Sequence, residues 1–185
     1  MDENSLAPTL LLAMPQMQDP NFARSVVLLW RHERAGAVGL VINRPTETRV
    51  ANVVEMTPPP RRDSGLDIWL GGPVEPECGW LLLGYDPGSP DTITIADGIF
   101  LSASVDVLRT VIETESTPAQ PRRFFLGYAG WGDGQLESEL AASAWLTVDV
   151  SRQLVFGTDP EVMWEAAIRG LGIDPYSLQM GTGVH

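Results

Sequence analysis

The sequence predicts an α+β fold: a central, mostly antiparallel or barrel-like β-sheet flanked by three or four helices. Three observations lead there. Eight or nine short apolar or β-branched runs are separated by Gly, Pro, Asn and Asp turn signals. Neighbouring runs lie close enough along the chain to pair locally, as antiparallel strands do. Helical periodicities are few and short, which does not suit an alternating βαβ chain.

Taken in order, residues 10–14 read as a buried strand stopped by Pro15. Asp19-Pro20-Asn21-Phe22 reads as a turn. Residues 25–31 and 38–43 read as paired strands, joined by a hairpin loop over residues 32–36 that contains His32. Residues 50–56 have apolar positions at 50, 53 and 54 and are expected as a short helix. Residues 57–65, rich in Pro, Arg and Asp, are expected as a mobile loop. The strand pattern resumes at residues 67–70, turns at Gly71-Gly72-Pro73 and continues at 80–85. Residues 86–91 form a surface loop, and Asp97-Gly98 joins two further short strands. Ser104 caps a helix with apolar residues at 105, 108, 111 and 112. Residues 123–128 are a strand, 130–134 a glycine loop and 135–143 a helix. Two strands follow, at 145–149 and 154–156. Asp159-Pro160-Glu161 opens the final helix, which Gly172 ends. A single domain over residues 1–185 accommodates all of this.

Composition narrows the function classes. There are 24 acidic and 12 basic residues, a formal net charge of -12. Every basic residue is Arg, which excludes Schiff-base lysine chemistry and the phosphate-loop motif with its Lys. The acidic balance argues against direct nucleic-acid binding. Residues 1–60 are close to neutral, so their arginines are the expected place for any anion. No apolar run is long enough to span a membrane, and no signal-peptide pattern opens the chain, so a cytoplasmic protein is expected. Cys78 is the one cysteine, and His32 and His185 have no ligand-spaced neighbours, so no metal is expected. The acids Glu75 and Glu77 disfavour a reactive Cys78 thiolate. The loop Gly130-Trp131-Gly132-Asp133-Gly134 has G-x-G-x-G spacing, which is not the dinucleotide fingerprint, and no cofactor is expected.

Four motifs stand out. Met14-Pro15, Met17, Asp19-Pro20, Phe22 and Arg24-Ser25-Val26-Val27 form the first; Gly36-Ala37 and Gly39-Leu40-Val41-Ile42-Asn43-Arg44-Pro45 form the second. The third is Gly71-Gly72-Pro73-Val74. The fourth is Gly127-Tyr128-Ala129-Gly130-Trp131, then Gly134-Gln135-Leu136-Glu137 and Glu139-Leu140, followed by Trp145-Leu146. In this order, with Phe156, Trp164 and Gly172-Ile173-Asp174-Pro175, the chain resembles the AlgH/YqgE family of bacterial proteins over nearly its whole length. The resemblance implies a closed or split β-barrel with flanking helices. The family is mostly uncharacterised and carries a label of transcriptional regulator. The chain departs from the family where it has Cys78 in place of a common Arg, near Leu83 where a His is frequent, and at Gly183-Val184-His185.

The motifs mix glycines with Arg, Asn and Trp at expected strand ends, where sites tend to form. The expected groove comprises Asp19, Phe22, Arg24, Asn43, Arg44, Gly71, Gly72, Pro73, Tyr128, Trp131, Gln135 and Glu137. The favoured reading is a non-catalytic binding or regulatory protein for a small molecule or another protein, with no catalytic residue assigned. The alternative is an enzyme with Glu137 or Asp19 as base and Arg24 or Arg44 holding an anion. Glu137 and Glu139, two residues apart on a helix, are expected to point to different faces.

Overall fold

The apolar run near the start of the chain forms β1 (Thr9–Ala13), buried at every position in the computed structural model, which describes residues 3–180. Leu10 and Leu12 enter one hydrophobic cluster while Leu11 and Ala13 enter another. Both faces of this strand are covered, so its sequence does not alternate. It pairs antiparallel with β2 (Val26–Glu33), which pairs with β3 (Gly36–Val41). β4 (Pro45–Arg49) leads through a single 3-10 turn, Val50–Asn52, to a long loop and β5 (Asp67–Leu70). Next come β6 (Val74–Leu83), β7 (Ile93–Ala96), β8 (Ile99–Ser102) and α1 (Val105–Glu113). The chain then forms β9 (Arg122–Trp131), α2 (Gln135–Ala141), β10 (Trp145–Val148), α3 (Arg152–Phe156), α4 (Met163–Gly170) and α5 (Pro175–Met180).

The main sheet path runs β10-β1-β2-β3-β9-β6-β8-β7, and all its pairings are antiparallel. β4 and β5 branch from it, with β5 lying parallel to β9. Residues from seven strands, including Leu10, Leu28, Leu40, Ile95, Leu101 and Phe125, meet Val155 of α3 and Met163, Trp164 and Ile168 of α4 in one cluster. Strands so far apart in the path share one core because the sheet curls around those helices. The Trp164 indole N–H donates to the Ala13 carbonyl at 2.8 Å, fixing α4 to β1. α2 and the loop after β1 cover Val27, Val41, Trp131 and Trp145 on the other face, and α1 covers a third cluster around Phe124.

Most expected elements are present, including the Asp97-Gly98 hairpin and the Ser104 cap, whose hydroxyl accepts the Val107 N–H at 3.3 Å. Several differ. Residues 154–156 are not a strand but the end of α3, which Ser151 caps by accepting the Leu154 N–H at 3.1 Å. The final amphipathic helix starts at Met163, because Asp159 turns the chain by accepting the Glu161 N–H at 2.9 Å. The expected helix over 50–56 is only the 3-10 turn, since Val50 alone of its residues is buried. β4 and α5 add to the expected set; β4 is polar and mostly exposed, so hydrophobic pattern does not mark it. His32 is not in a loop but on β2. The ending Gly183-Val184-His185 lies outside the described residues.

Candidate functional site

The first two motifs knit together at the loop between β1 and β2. Asn43 accepts the Val26 N–H at 3.0 Å and donates to the Arg24 carbonyl at 3.0 Å. Arg44 donates to the carbonyls of Pro20 and Ala23, each at 3.0 Å, rather than to a carboxylate. Burial pushes its pKa below the ordinary arginine value, and Asp19 opposes that shift. Asp19 itself closes the turn by accepting the Asn21 N–H at 2.9 Å. Arg24 has left-handed backbone, φ 55°. Its guanidinium meets Glu165 at 2.9 Å and lies 4.7 Å above the Trp164 ring. Phe22 tucks beneath this loop against Trp131 and Trp145, at centroid distances of 6.3 and 5.8 Å.

The third motif sits where β3 and β5 succeed one another along the same edge of β9. The Gly71 carbonyl accepts the Val41 N–H and the Gly71 N–H donates to Leu126, both at 2.8 Å. The backbones of Gly72 and Gly127 approach so closely that a Cβ on either would overlap the other strand. Gly72 and Pro73 join Arg44, Asn21, Val41 and Leu70 around a small cavity of about 110 Å³. Tyr128 lies on the opposite face from Ala129 and Trp131 and stacks edge-on with Trp80 at 6.3 Å. Burial, with help from Glu75, raises its hydroxyl pKa.

The fourth motif builds a second cleft at the other end of β3. A bulge between Leu29 and Arg31 shifts the register of β2 against β3. It reverses the in–out alternation, so His32 pairs opposite Ala37 on the face that holds Trp131. There the His32 Nδ1 accepts the Leu6 N–H at 3.0 Å. Nε2 therefore carries the ring proton and donates it to Glu137 at 2.6 Å. The His32 side chain is 6 % exposed and that of Glu137 is 52 % exposed. Its own backbone N–H, then His32, hold the Glu137 carboxyl below the ordinary range. Glu139 instead accepts the Trp131 indole N–H at 2.7 Å, so the two glutamates do take different partners, and both tie α2 to the sheet. Gln135 accepts the Gly132 N–H at 3.0 Å. His32, Arg34, Asp133, Glu137, Asn4 and Ser5 are among the residues around a cavity of about 530 Å³.

The twelve expected residues thus divide. Asp19, Phe22, Arg24, Asn43 and Arg44 form one knot, which Gly71, Gly72 and Pro73 adjoin. Phe22 links that knot to Trp131, behind which Gln135 and Glu137 begin α2. Tyr128 faces away. Sequence reasoning missed His32 as a partner of Glu137, because only the bulge turns it toward α2. Among the described residues no cluster of three or more His, Cys, Asp or Glu is arranged to hold a metal ion.

These features define a curled-sheet α+β protein whose motif residues gather at the two ends of β3. The AlgH-like description, DUF179, matches residues 10–176, and the chain belongs to that family. A UPF0301 protein of Myxococcus xanthus is 42% identical, with 98% of this chain and 99% of the relative covered. One from Pseudomonas fluorescens is 40% identical over 89% of this chain and 87% of its own. The solution structure of the AlgH protein from Pseudomonas aeruginosa is similar over 100% of both chains, with a TM-score of 0.76 and 37% identity. Protein DIP2367 from Corynebacterium diphtheriae shares the fold, with a TM-score of 0.70 and 23% identity, over 92% of this chain and 90% of that one.

Proposed function

We propose that this chain is a non-catalytic binding protein of the cytoplasm, and that the cleft beside His32 and Glu137 receives a small polar molecule or a segment of another protein. The commitment of both His32 ring nitrogens carries the reading. Nδ1 is occupied by the Leu6 N–H and the Nε2 proton by Glu137. An imidazole so held has no free lone pair to act as base and no free proton to act as acid. Glu137, with its carboxyl pKa lowered and its side chain half exposed, is a weak base near neutral pH. The arginines required by an enzyme reading are engaged elsewhere, Arg24 by Glu165 and Arg44 by two carbonyls. What remains is a polar recess with a fixed wall and with Arg34 and Asp133 exposed at its rim. The acidic chain offers no generic attraction for DNA, so a regulatory role would act through a protein or small-molecule partner.

Native mass spectrometry of the protein purified from its own host tests this. A retained mass on the natural chain is expected, lost or strongly reduced in Arg34→Gln with Asp133→Asn. A mass retained equally by that variant, or none on the natural chain, would count against the cleft. Conversion of the retained molecule during incubation would return the enzyme reading.

A further inference from the structure

A different cleft lies at the other end of β9. Arg122 and Arg123 open that strand and Arg152 opens α3. With Phe156, Pro118 and Pro121 they help to line a cavity of about 630 Å³, a size typical of small-molecule sites. The lining includes no carboxylate, in a chain with twice as many acids as bases. None of the three arginines forms an ion pair among the described residues.

Backbone carbonyls hold them instead. Arg122 donates to Thr114. Arg123 donates to Val155 at 2.5 Å and Phe156 at 3.4 Å. It also lies 4.5 Å from the Trp69 ring and 5.6 Å from that of Phe156, which fixes its plane. Arg152 donates through Nε and Nη2 to Gly84, at 3.4 and 3.3 Å, and through Nη2 to Ala119 at 3.3 Å. Carbonyls orient a guanidinium but do not neutralise it. Each guanidinium has five N–H donors, so Arg152 keeps both Nη1 hydrogens, and Arg122 four, without a partner among the described residues. Three positive charges line one cavity that has no carboxylate in its lining, and an anion bound there is attracted to each of them. The arginines of residues 1–60, where the sequence led us to expect an anion, include Arg24 and Arg44, which are already engaged.

We propose that this cleft binds a small organic phosphate, its phosphate held by Arg152 and Arg122 and its apolar part against Phe156, Pro118 and Pro121. A phosphate offers several oxygens, enough to accept from the unpartnered hydrogens of both Arg152 and Arg122 in the lining of this cavity. The ten-residue β9 spans about 30 Å at ~3.3 Å per residue, so this site stands apart from the His32 cleft and does not rest on its assignment.

Calorimetric titration of the full chain with phenyl phosphate at low ionic strength tests it. Saturable binding of one molecule per chain is expected, weakening as salt is added. Arg152→Gln removes one charged donor set and should weaken binding about tenfold. Ser116→Asp places a negative charge on the exposed rim of the same cavity and should weaken it similarly without touching a buried contact. Arg34→Gln, in the other cleft, should leave it unchanged. Absence of saturable binding at low salt, or equal affinity in all four proteins, would overturn the proposal.

Discussion

Gly127→Ala measures how tightly β9 crosses the Gly71-Gly72 segment. Gly127 is buried with φ 76°, and an added Cβ would overlap the Gly72 carbonyl oxygen and stand 3.3 Å from that of Val74. Gly88, at φ 77°, has open space around its Cβ direction and serves as an internal control. Alanine in the left-handed region costs about 1–2 kcal/mol, partly offset by about 0.4–1 kcal/mol through the unfolded chain. Gly88→Ala should therefore destabilise by about 1 kcal/mol. Gly127→Ala carries the same conformational cost plus an overpacking cost of about 1–3 kcal/mol, for a total of about 2–4 kcal/mol. Unfolding entropy for 185 residues is about 0.4 kcal/mol per degree. The expected Tm losses are thus about 2–3 °C for Gly88→Ala and about 5–10 °C for Gly127→Ala. Differential scanning calorimetry of both variants decides the matter. Equal losses would refute the close crossing, because backbone conformation would then account for the whole effect.

Three other outcomes follow from the same geometry. Glu137 is stabilising while ionised because its carboxyl pKa is lowered in the fold, so stability should fall as pH drops below its ordinary value of 4.5; Glu137→Gln should flatten that acid limb of a Tm-against-pH curve. Asn43→Ala removes both links between the first two motifs and should cost about 1–3 kcal/mol, read by urea denaturation, with the largest amide shift changes at Val26 and Arg24. Burial first, then Glu75 and Glu77, raise the Cys78 thiol pKa, so iodoacetamide at pH 8 should alkylate it more slowly than free cysteine, as timed by mass spectrometry.

Local chemistry was legible along the chain. The Asp97-Gly98 hairpin and the Ser104 cap depend on interactions within a few residues, and each stands as expected; the apolar run of β1 is as plain in the sequence because both of its faces are buried. Short-range pattern misled where one turn of backbone had to serve the core. Val155 looks like a strand residue, yet Ser151 caps a helical turn that delivers it to the interior of the curl. The polar strand β4 has no apolar signal because its place is set by β5 alongside it.

The same division holds for the sites. Sequence by itself determined the α+β class, the family and the set of motif residues, because these follow from periodicity, turn chemistry and residue order. Tertiary structure alone decided what the residues face. The bulge in β2 inverts the strand's alternation and gives His32 to Glu137, and an inserted residue of that kind leaves no periodic trace. Arg44 and Arg123 could each have met an acid in so acidic a chain, but both found carbonyls at the ends of turns and helices. The chain's charge is a sum over residues and is readable from composition; where that charge is left unbalanced depends on distances, and those exist only in the fold.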